Sequence, residues 1–147
     1  MKKSLVISST AQMAQCASEI ASQVRPGDLI LLEGPLGAGK TFFAQALIHS
    51  LGVTEHVTSP TFVMMKSYRG RYFINHIDAY RLIDLPDPGQ AFEELDVDIE
   101  GSLTIVEWGA KFDVTGNALL ISIEIGDGEF RNLTFVGPDA RWGGLTI

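Results

Sequence analysis

The stretch LILLEGPLGAGKT, residues 29–41, decides the fold of this chain. Residues 29–32 form a continuous apolar run of strand length, which is typical of a strand buried on both faces within a parallel sheet. A glycine-rich turn follows directly and carries the pattern GxxxxGKT from Gly34 to Thr41. Glycines in this pattern allow successive backbone N–H groups to surround phosphate oxygens at the positive end of a following helix.

The residues after the turn predict that helix. Phe43, Leu47 and Leu51 recur every four residues, and Gly52 stands where a helix C-terminus is commonly capped. A tight turn with a solvated lysine is the alternative interpretation. The order strand, glycine loop, helix favours a phosphate loop, because this is the structural context that the motif requires.

In such a loop, Lys40 would reach the β and γ phosphates of a nucleotide, and the Thr41 hydroxyl would join the coordination shell of Mg²⁺. Pro35 has no N–H group to donate, so we exclude it from the site. The predicted nucleotide cradle consists of Leu36, Gly37, Ala38, Gly39, Lys40 and Thr41.

Further patterns predict a single α/β domain of the P-loop NTPase type over residues 1–147, with a largely parallel central sheet flanked by helices. A capping-box pattern at Ser9 begins an amphipathic helix, which Pro26 and Gly27 end. Additional strands are expected at 71–78, 103–107, 118–125 and 131–136, and a short helix at 92–97.

The composition limits the possible partners and compartments. Eleven Lys and Arg residues against eighteen Asp and Glu residues give a formal net charge of −7. A chain this acidic is not expected to wrap a nucleic acid with its own surface, so a role on nucleic acid would need a basic partner. Cys16 is the only cysteine, and no run of about 18 apolar residues occurs. We therefore expect a cytoplasmic protein that does not enter a membrane.

Two acidic residues follow predicted strands. Glu107 ends the apolar segment 103–106, at the sheet edge where ligands bind in open α/β folds, and could bind the Mg²⁺ shell or orient an attacking water. An exposed acid at a strand end is the alternative. His76 and Asp78 lie two residues apart on a strand and share a face, so they form either a proton-transfer pair or a structural hydrogen bond.

A third segment follows the phosphate-loop helix, where the phosphate-sensing loops of nucleotide switches lie. Pro60 restricts the backbone, and Thr61 offers a hydroxyl and an N–H group to a γ-phosphate or its metal. Composition alone favours an ordinary turn. The candidate switch-like loop comprises Ser59, Pro60, Thr61 and Phe62.

Four motifs, taken together, resemble those of the bacterial TsaE family of tRNA threonylcarbamoyladenosine biosynthesis ATPases. They are GPLGAGKT at 34–41, SPTF at 59–62, HIDAYRL at 76–82 and LTIVEW at 103–108. The GKT sequence alone is shared by many NTPases, but SPTF followed by HxDxYRL and an EW pair is specific to this family.

The resemblance implies roles for particular residues. Lys40 and Thr41 would hold the phosphates of ATP and Mg²⁺, and Glu107 would take the second position at the metal. Asp78 would be needed for turnover, and Thr61 would lie in the switch-like loop. As catalytic residues the resemblance thus implies Lys40, Asp78 and Glu107.

The resemblance extends to three further positions. Thr10 lies near the position from which the family's N-terminal segment approaches the nucleotide base, and Arg131 lies near a late basic position of the family; both are assigned to nucleotide binding. Trp108 matches the family's tryptophan. Arg81, three residues beyond Asp78, is a candidate for stabilising charge or contacting a partner. Many family members carry Asp where this chain has Pro35.

The resemblance also implies a function. The protein would hydrolyse ATP to support threonylcarbamoylation of the adenosine next to the anticodon in tRNA, acting with the TsaD and TsaB proteins. Turnover would be slow alone, because no arginine is certain to reach the γ-phosphate; Arg69 and Arg71 are further candidates. A nucleotide-dependent assembly factor, or a small-molecule kinase with Asp78 as base, remain the alternatives.

Overall fold

The computed structural model describes residues 1–61 and 64–147. Within these residues the chain forms seven strands and four helices. In chain order they are β1 (Lys2–Ile7), α1 (Thr10–Ala21), β2 (Leu29–Glu33), α2 (Lys40–Ser50), β3 (Met65–Arg69), β4 (Phe73–Asp78), α3 (Pro88–Glu93), β5 (Leu103–Glu107), β6 (Leu119–Ile125), β7 (Arg131–Val136) and α4 (Asp139–Trp142).

The strands form one mixed sheet in the order β1-β7-β6-β2-β5-β4-β3. The four central strands β6, β2, β5 and β4 are parallel, whereas β1, β7 and β3 pair antiparallel with their neighbours. The predicted α/β class is therefore confirmed, with the parallel part at the centre. The β3–β4 and β6–β7 pairs are antiparallel because short turns join them, and such turns cannot connect parallel strands.

Strand β2 lies at the centre, between β6 and β5. Its residues 29–32 are all buried, as the continuous apolar run predicted. Register pairs Leu32 with Glu107, and Glu107 with Asp78, so the carboxyl ends of β2, β5 and β4 meet at one edge of the sheet. The phosphate loop begins at this edge.

Two apolar layers cover the sheet. On one face, α1 and α2 pack over inward side chains such as Ile30, Leu32 and Ile105, and Cys16 of α1 is buried in the same cluster. On the other face, a smaller cluster that includes Leu31 and Phe92 packs α3 and the adjoining loops against the sheet. The helices thus flank both faces, as predicted.

Helix α1 begins with the predicted capping interaction. The Ser9 side chain accepts a hydrogen bond from the Gln12 N–H at 3.2 Å. The Gln12 side chain reaches back to the N–H of Ser8, at 2.6 Å, rather than to that of Ser9. One free N–H group of the first helical turn is satisfied in this way, and the Gln12 side chain also holds the residue before the cap.

The position predicted for the short helix, residues 92–97, is wrong. The observed helix is Pro88–Glu93, and the Asp87 side chain caps it by accepting from Gln90 N–H. Proline at the first helical position and aspartate before it favour a helix start. The sequence patterns also did not predict β1, β3 and α4.

Among residues 1–61 and 64–147, no helix combines the length and apolar character needed to cross a membrane.

Candidate functional site

The phosphate loop connects β2 to α2 in the predicted way. Gly34, Gly37 and Gly39 have φ angles of 150°, 81° and 113°, a range that side-chain-bearing residues rarely adopt. Gly39 is the N-cap of α2, and Lys40 and Thr41 form its first turn. The loop N–H groups therefore precede the positive end of an eleven-residue helix, where anions are stabilised.

Gly34 also allows a close approach between this loop and β6. A Cβ atom at Gly34 would lie 2.4 Å from the carbonyl oxygen of Ile123, whereas a Cβ at Gly37 would meet no atom within 4 Å. Both residues have positive φ. Substitutions at the two glycines therefore separate the cost of backbone strain from the cost of steric crowding.

Replacing Gly34 with alanine is expected to destabilise the fold by about 2 to 6 kcal/mol, because backbone strain and overpacking add. Gly37→Ala is the matched control and should cost only about 1 to 2 kcal/mol, from backbone strain. Urea unfolding of both variants measures the difference. Equal loss in the two variants would show that the contact with Ile123 imposes no steric constraint.

The Lys40 side chain folds back over the loop. Its amino group donates to the carbonyl oxygens of Gly34 and Pro35, the latter at 3.0 Å, and lies 3.8 Å from the centre of the Trp108 ring. Pro35, excluded as an N–H donor, thus contributes a carbonyl contact to the lysine.

Burial lowers the pKa of Lys40, while the carboxylates of Glu107, Glu33 and Asp78 act in the opposite direction. Partial desolvation strengthens the attraction of this cation for a phosphate, whereas the three carboxylates beside it repel an anion unless a second cation lies between them.

Thr41 and Glu107 meet at the start of α2. The Thr41 hydroxyl donates to Glu107 Oε1 at 2.6 Å, and Glu107 is only 3% exposed. The alternative interpretation of Glu107, an exposed acid at a strand end, is therefore excluded: this carboxylate is buried and lies at the phosphate loop. A hydroxyl and a carboxylate are oxygen ligands of the kind that Mg²⁺ prefers. In the described part of the chain, no group of three or more His, Cys, Asp or Glu residues is arranged to hold a metal ion.

His76 contacts Glu107 rather than Asp78. Its Nε2 lies 2.6 Å from Glu107 Oε2, and both side chains are buried. Neither of the two interactions considered for His76 and Asp78, a proton-transfer pair or a structural hydrogen bond, is formed among the described residues. Glu107 lies diagonally across from His76 on the neighbouring strand β5, opposite Asp78, and takes the His76 hydrogen bond.

Asp78 instead binds the candidate switch-like loop. Its Oδ2 accepts from the Thr61 hydroxyl at 3.1 Å, and its Oδ1 accepts from the Tyr80 N–H at 3.0 Å. The Ser59 and Thr61 hydroxyls are 2.6 Å apart, and Pro60 between them is buried. Phe62, the last residue assigned to this loop, lies outside the described residues.

A pocket of about 520 Å³ joins these groups. The predicted Lys40, Thr41, Asp78, Glu107, Thr61 and Trp108 all line it, together with Leu36, Gly37, Gly39, Phe42 and Tyr80. Phe42 and Tyr80 were not predicted as site residues. Tyr80 belongs to the motif HIDAYRL, but its position after a predicted strand did not indicate that its side chain lies near the phosphate loop.

Trp108 and Tyr80 form an aromatic wall of this pocket. Their ring centroids are 5.2 Å apart and their planes are tilted by 58°. Trp108 has a φ of 60°, which turns the chain sharply at the end of β5. This turn brings the Trp108 ring over Lys40, a placement that strand alternation alone would not predict.

Thr10 and Arg131 lie on the other side of the phosphate loop. They line a second pocket of about 270 Å³, which also includes Ala38 and shares Gly37 and Gly39 with the first. The Arg131 Nε atom donates to the Ala38 carbonyl oxygen at 3.2 Å. The structure therefore brings both loosely assigned residues to the loop.

The three candidate arginines do not line the 520 Å³ pocket. Arg81 is exposed, on the segment that follows β4. Arg69 pairs with Phe73 at the opposite end of β4, about 16 Å along the strand from Asp78, and Arg71 lies in the same turn. Arg69 and Arg71 are therefore at the wrong edge of the sheet to reach the loop.

The fold and the site together define a class of protein. A parallel sheet whose central strand leads through a glycine loop into a helix, with acids at the carboxyl ends of the adjacent strands, is the architecture of a P-loop NTPase domain. A profile of the family described as "Threonylcarbamoyl adenosine biosynthesis protein TsaE" matches residues 7–133. The chain belongs to the TsaE family, as the motif resemblance predicted.

Individual relatives agree with this assignment. The chain is 37% identical over 139 residues to the "tRNA threonylcarbamoyladenosine biosynthesis protein TsaE" of Streptomyces coelicolor, with 88% of this chain and 93% of the relative covered. It is 32% identical to the protein of the same name from Rickettsia felis, with 84% and 73% covered. The match to the Mycobacterium bovis protein is 38% over 100 residues, and spans 63% of this chain and 60% of the relative.

A solved structure has the same fold. The crystal structure of YdiB from Bacillus subtilis superposes with a TM-score of 0.80 at 27% sequence identity. The superposition covers 99% of this chain and 91% of YdiB. The arrangement of strands and helices described above is thus shared across nearly the whole length of both chains.

Proposed function

We propose that this protein binds Mg-ATP and hydrolyses it to support threonylcarbamoylation of the adenosine next to the anticodon in tRNA. The observation that carries the proposal is the meeting of Lys40, Thr41, Glu107 and Asp78 around one pocket at the carboxyl edge of the sheet. Membership of a family named for threonylcarbamoyladenosine biosynthesis supports the tRNA pathway. A cytoplasmic location is part of the same proposal.

The residues present fit a nucleotide phosphate with Mg²⁺. The loop presents backbone N–H groups at the start of α2, and Lys40 supplies a cation beside them. Thr41 and Glu107 supply adjacent oxygen atoms, and Mg²⁺ sites commonly combine one or two such protein ligands with substrate phosphates. When bound, Mg²⁺ would neutralise the charge that develops on the phosphate oxygens.

The remaining chemistry belongs to the chain itself. Lys40 would bind the β and γ phosphates and stabilise their negative charge in the transition state. Asp78 lines the pocket and would accept a proton from, or orient, the attacking water. Thr61, held by Asp78, would place the switch-like loop against the γ-phosphate. Thr10 and Arg131 would contact the nucleoside on the other side of the loop.

We further propose that TsaD and TsaB act as partners and accelerate turnover. Of the described residues that line the 520 Å³ pocket, none is an arginine, and an arginine supplied by a partner can raise phosphoryl-transfer rates by about 10³- to 10⁵-fold. The formal charge of −7 supports contact with tRNA mainly through the complex. The exposed Arg81 and the pocket residue Trp108 are candidate contacts for such a partner.

Phosphate release from ATP tests this proposal. It is measured for the purified protein alone and mixed with TsaD and TsaB, with Lys40→Ala as the blank. Slow release alone and strong stimulation that is lost in the variant are expected. Equal rates with and without the partners would contradict activation, and a phosphorylated small product in place of free phosphate would favour a kinase.

A further inference from the structure

His76 is a fully buried polar residue that points at the candidate metal site without lining the pocket. Its relative exposure is 0%, and its Nε2 lies 2.6 Å from Glu107 Oε2. Among the described residues, its other ring nitrogen, Nδ1, has no hydrogen-bond partner. The interaction with Glu107 is thus the single polar contact of this side chain in the described structure.

The chemistry of the two groups fixes the direction of this hydrogen bond. An ionised carboxylate can only accept, so His76 Nε2 carries the hydrogen and donates it to Oε2. Thr41 donates to the other oxygen, Oε1, at 2.6 Å. Both oxygens of Glu107 are therefore held, one by a residue of the phosphate loop and one by a residue that does not line the pocket.

Core packing alone does not account for His76. A buried ring nitrogen without a partner is unfavourable, and an apolar side chain of similar size would avoid that cost. Ile74 and Ile105, which share its face, are apolar. Asp78 and Lys66 share that face too, but among the described residues they bind the hydroxyls of Thr61 and Thr58 and not the His76 ring. Glu107 is therefore the one polar contact of His76 in the described structure.

We propose that His76 is a positioning residue that holds the Glu107 carboxylate in the orientation needed at the Mg²⁺ shell or the attacking water. The proposal rests on the proposed function, in which Glu107 serves the metal site. His76 does not line the pocket, so it acts through Glu107 and not on the nucleotide. Partners of this kind commonly change metal affinity or activity by about 10- to 100-fold when removed.

Two substitutions at His76 test whether its N–H group is needed to position Glu107. His76→Leu removes the N–H group and keeps an apolar side chain in the core, whereas His76→Gln restores an N–H group at a similar reach. Ile74→Val is the matched control, because it perturbs packing on the same face of the same strand. Circular dichroism and thermal unfolding establish that each variant is folded.

Two readouts follow for each variant with the partner proteins present. In His76→Leu, kcat should fall, and the Mg²⁺ concentration for half-maximal binding of a non-hydrolysable ATP analogue should rise, each by about 10- to 100-fold. The Mg²⁺-free affinity for the analogue should stay within about 3-fold of wild type, because the substitution removes no phosphate contact. His76→Gln should recover most of the loss, and Ile74→Val should change neither readout.

A third test uses the nucleotide-free wild-type protein, so it depends neither on ATP hydrolysis nor on the stability of a His76 variant. Nitrogen-15 NMR of the imidazole groups should show that His76 carries its hydrogen on Nε2, and Glu107→Gln should shift that signal. A hydrogen on Nδ1 alone would overturn the proposal.

The outcomes also separate this proposal from the proposed function. If the wild type does not hydrolyse ATP even with the partners, the proposed function fails, but Mg²⁺-dependent binding still decides the role of His76. Unchanged Mg²⁺ dependence in His76→Leu, no recovery in His76→Gln, or absence of any Mg²⁺ effect in the wild type would overturn the positioning role.

Discussion

ATP hydrolysis by the Lys40→Ala variant is expected to be about 10²- to 10³-fold slower than that of the wild type, because removal of one preorganised donor to a developing negative charge has an effect of this size. Nucleotide affinity should fall as well, since Lys40 is the one cationic side chain among the described residues that line the 520 Å³ pocket. Phosphate release and displacement of a fluorescent nucleotide measure the two effects.

Two controls make this result interpretable. Lys111→Ala removes the same charge from an exposed position that follows β5, and should leave both readouts unchanged. Lys40 also donates to Gly34 and Pro35, so the thermal stability of the variant must be compared with that of the wild type. Unchanged affinity together with unchanged hydrolysis in a folded Lys40→Ala protein would refute the phosphate-loop assignment.

The Asp78→Asn variant is expected to bind ATP within a few-fold of wild type and to lose about 10²- to 10⁴-fold in hydrolysis, the usual contribution of a positioned acid or base. Asparagine keeps a carbonyl oxygen for the Tyr80 N–H, so the local backbone should be retained. What changes is the charge and the ability of the second oxygen to accept from Thr61 or from water.

Asp84→Asn is the matched control for this second prediction. Asp84 lies on the exposed segment after β4, outside the pocket-lining set, and its substitution should alter neither binding nor turnover. Single-turnover measurements at saturating ATP separate the chemical step from nucleotide release. Full turnover in Asp78→Asn would leave Asp78 as a structural support for the switch-like loop.

Local patterns predicted the central part of the fold well. Three patterns lie next to one another in the chain: the apolar run of β2, the glycine loop and the apolar periodicity of α2. Each of them therefore supports the element predicted from its neighbour. The strands expected at 103–107 and 131–136 have those bounds in the structure. Their residues are mostly β-branched or otherwise apolar, and turn residues flank them.

The edge strands were harder to predict. In β1, positions 2, 4 and 6 are exposed, and two lysines open the segment, so it offers little apolar signal. In β3, the sequence MKSYR is mainly polar and partly exposed. Such strands are stabilised by pairing with β7 and β4 rather than by their own composition, and single-sequence patterns do not record pairing.

The sequence predicted which residues lie together at the candidate site, but not the contacts between them. Lys40, Thr41 and Glu107 were recognisable from their motifs, whereas the hydrogen bonds of Glu107 depend on the order and register of the strands. His76 and Asp78 share a face, as expected, yet their partners come from other segments. The alternation of side chains along a strand identifies the face of the sheet on which a residue lies. It does not identify the residue's neighbours on the adjacent strands.

The central position of β2 also bears on how the chain folds. Leu29 pairs with Thr104, and Ile30 with Leu119, so both neighbours of the phosphate-loop strand come from the second half of the sequence. Loop closure over such separations slows folding and delays the pairing of β2 until most of the chain is available. Nucleotide binding should therefore appear late during refolding, and it would report that the whole sheet, not a fragment, has assembled.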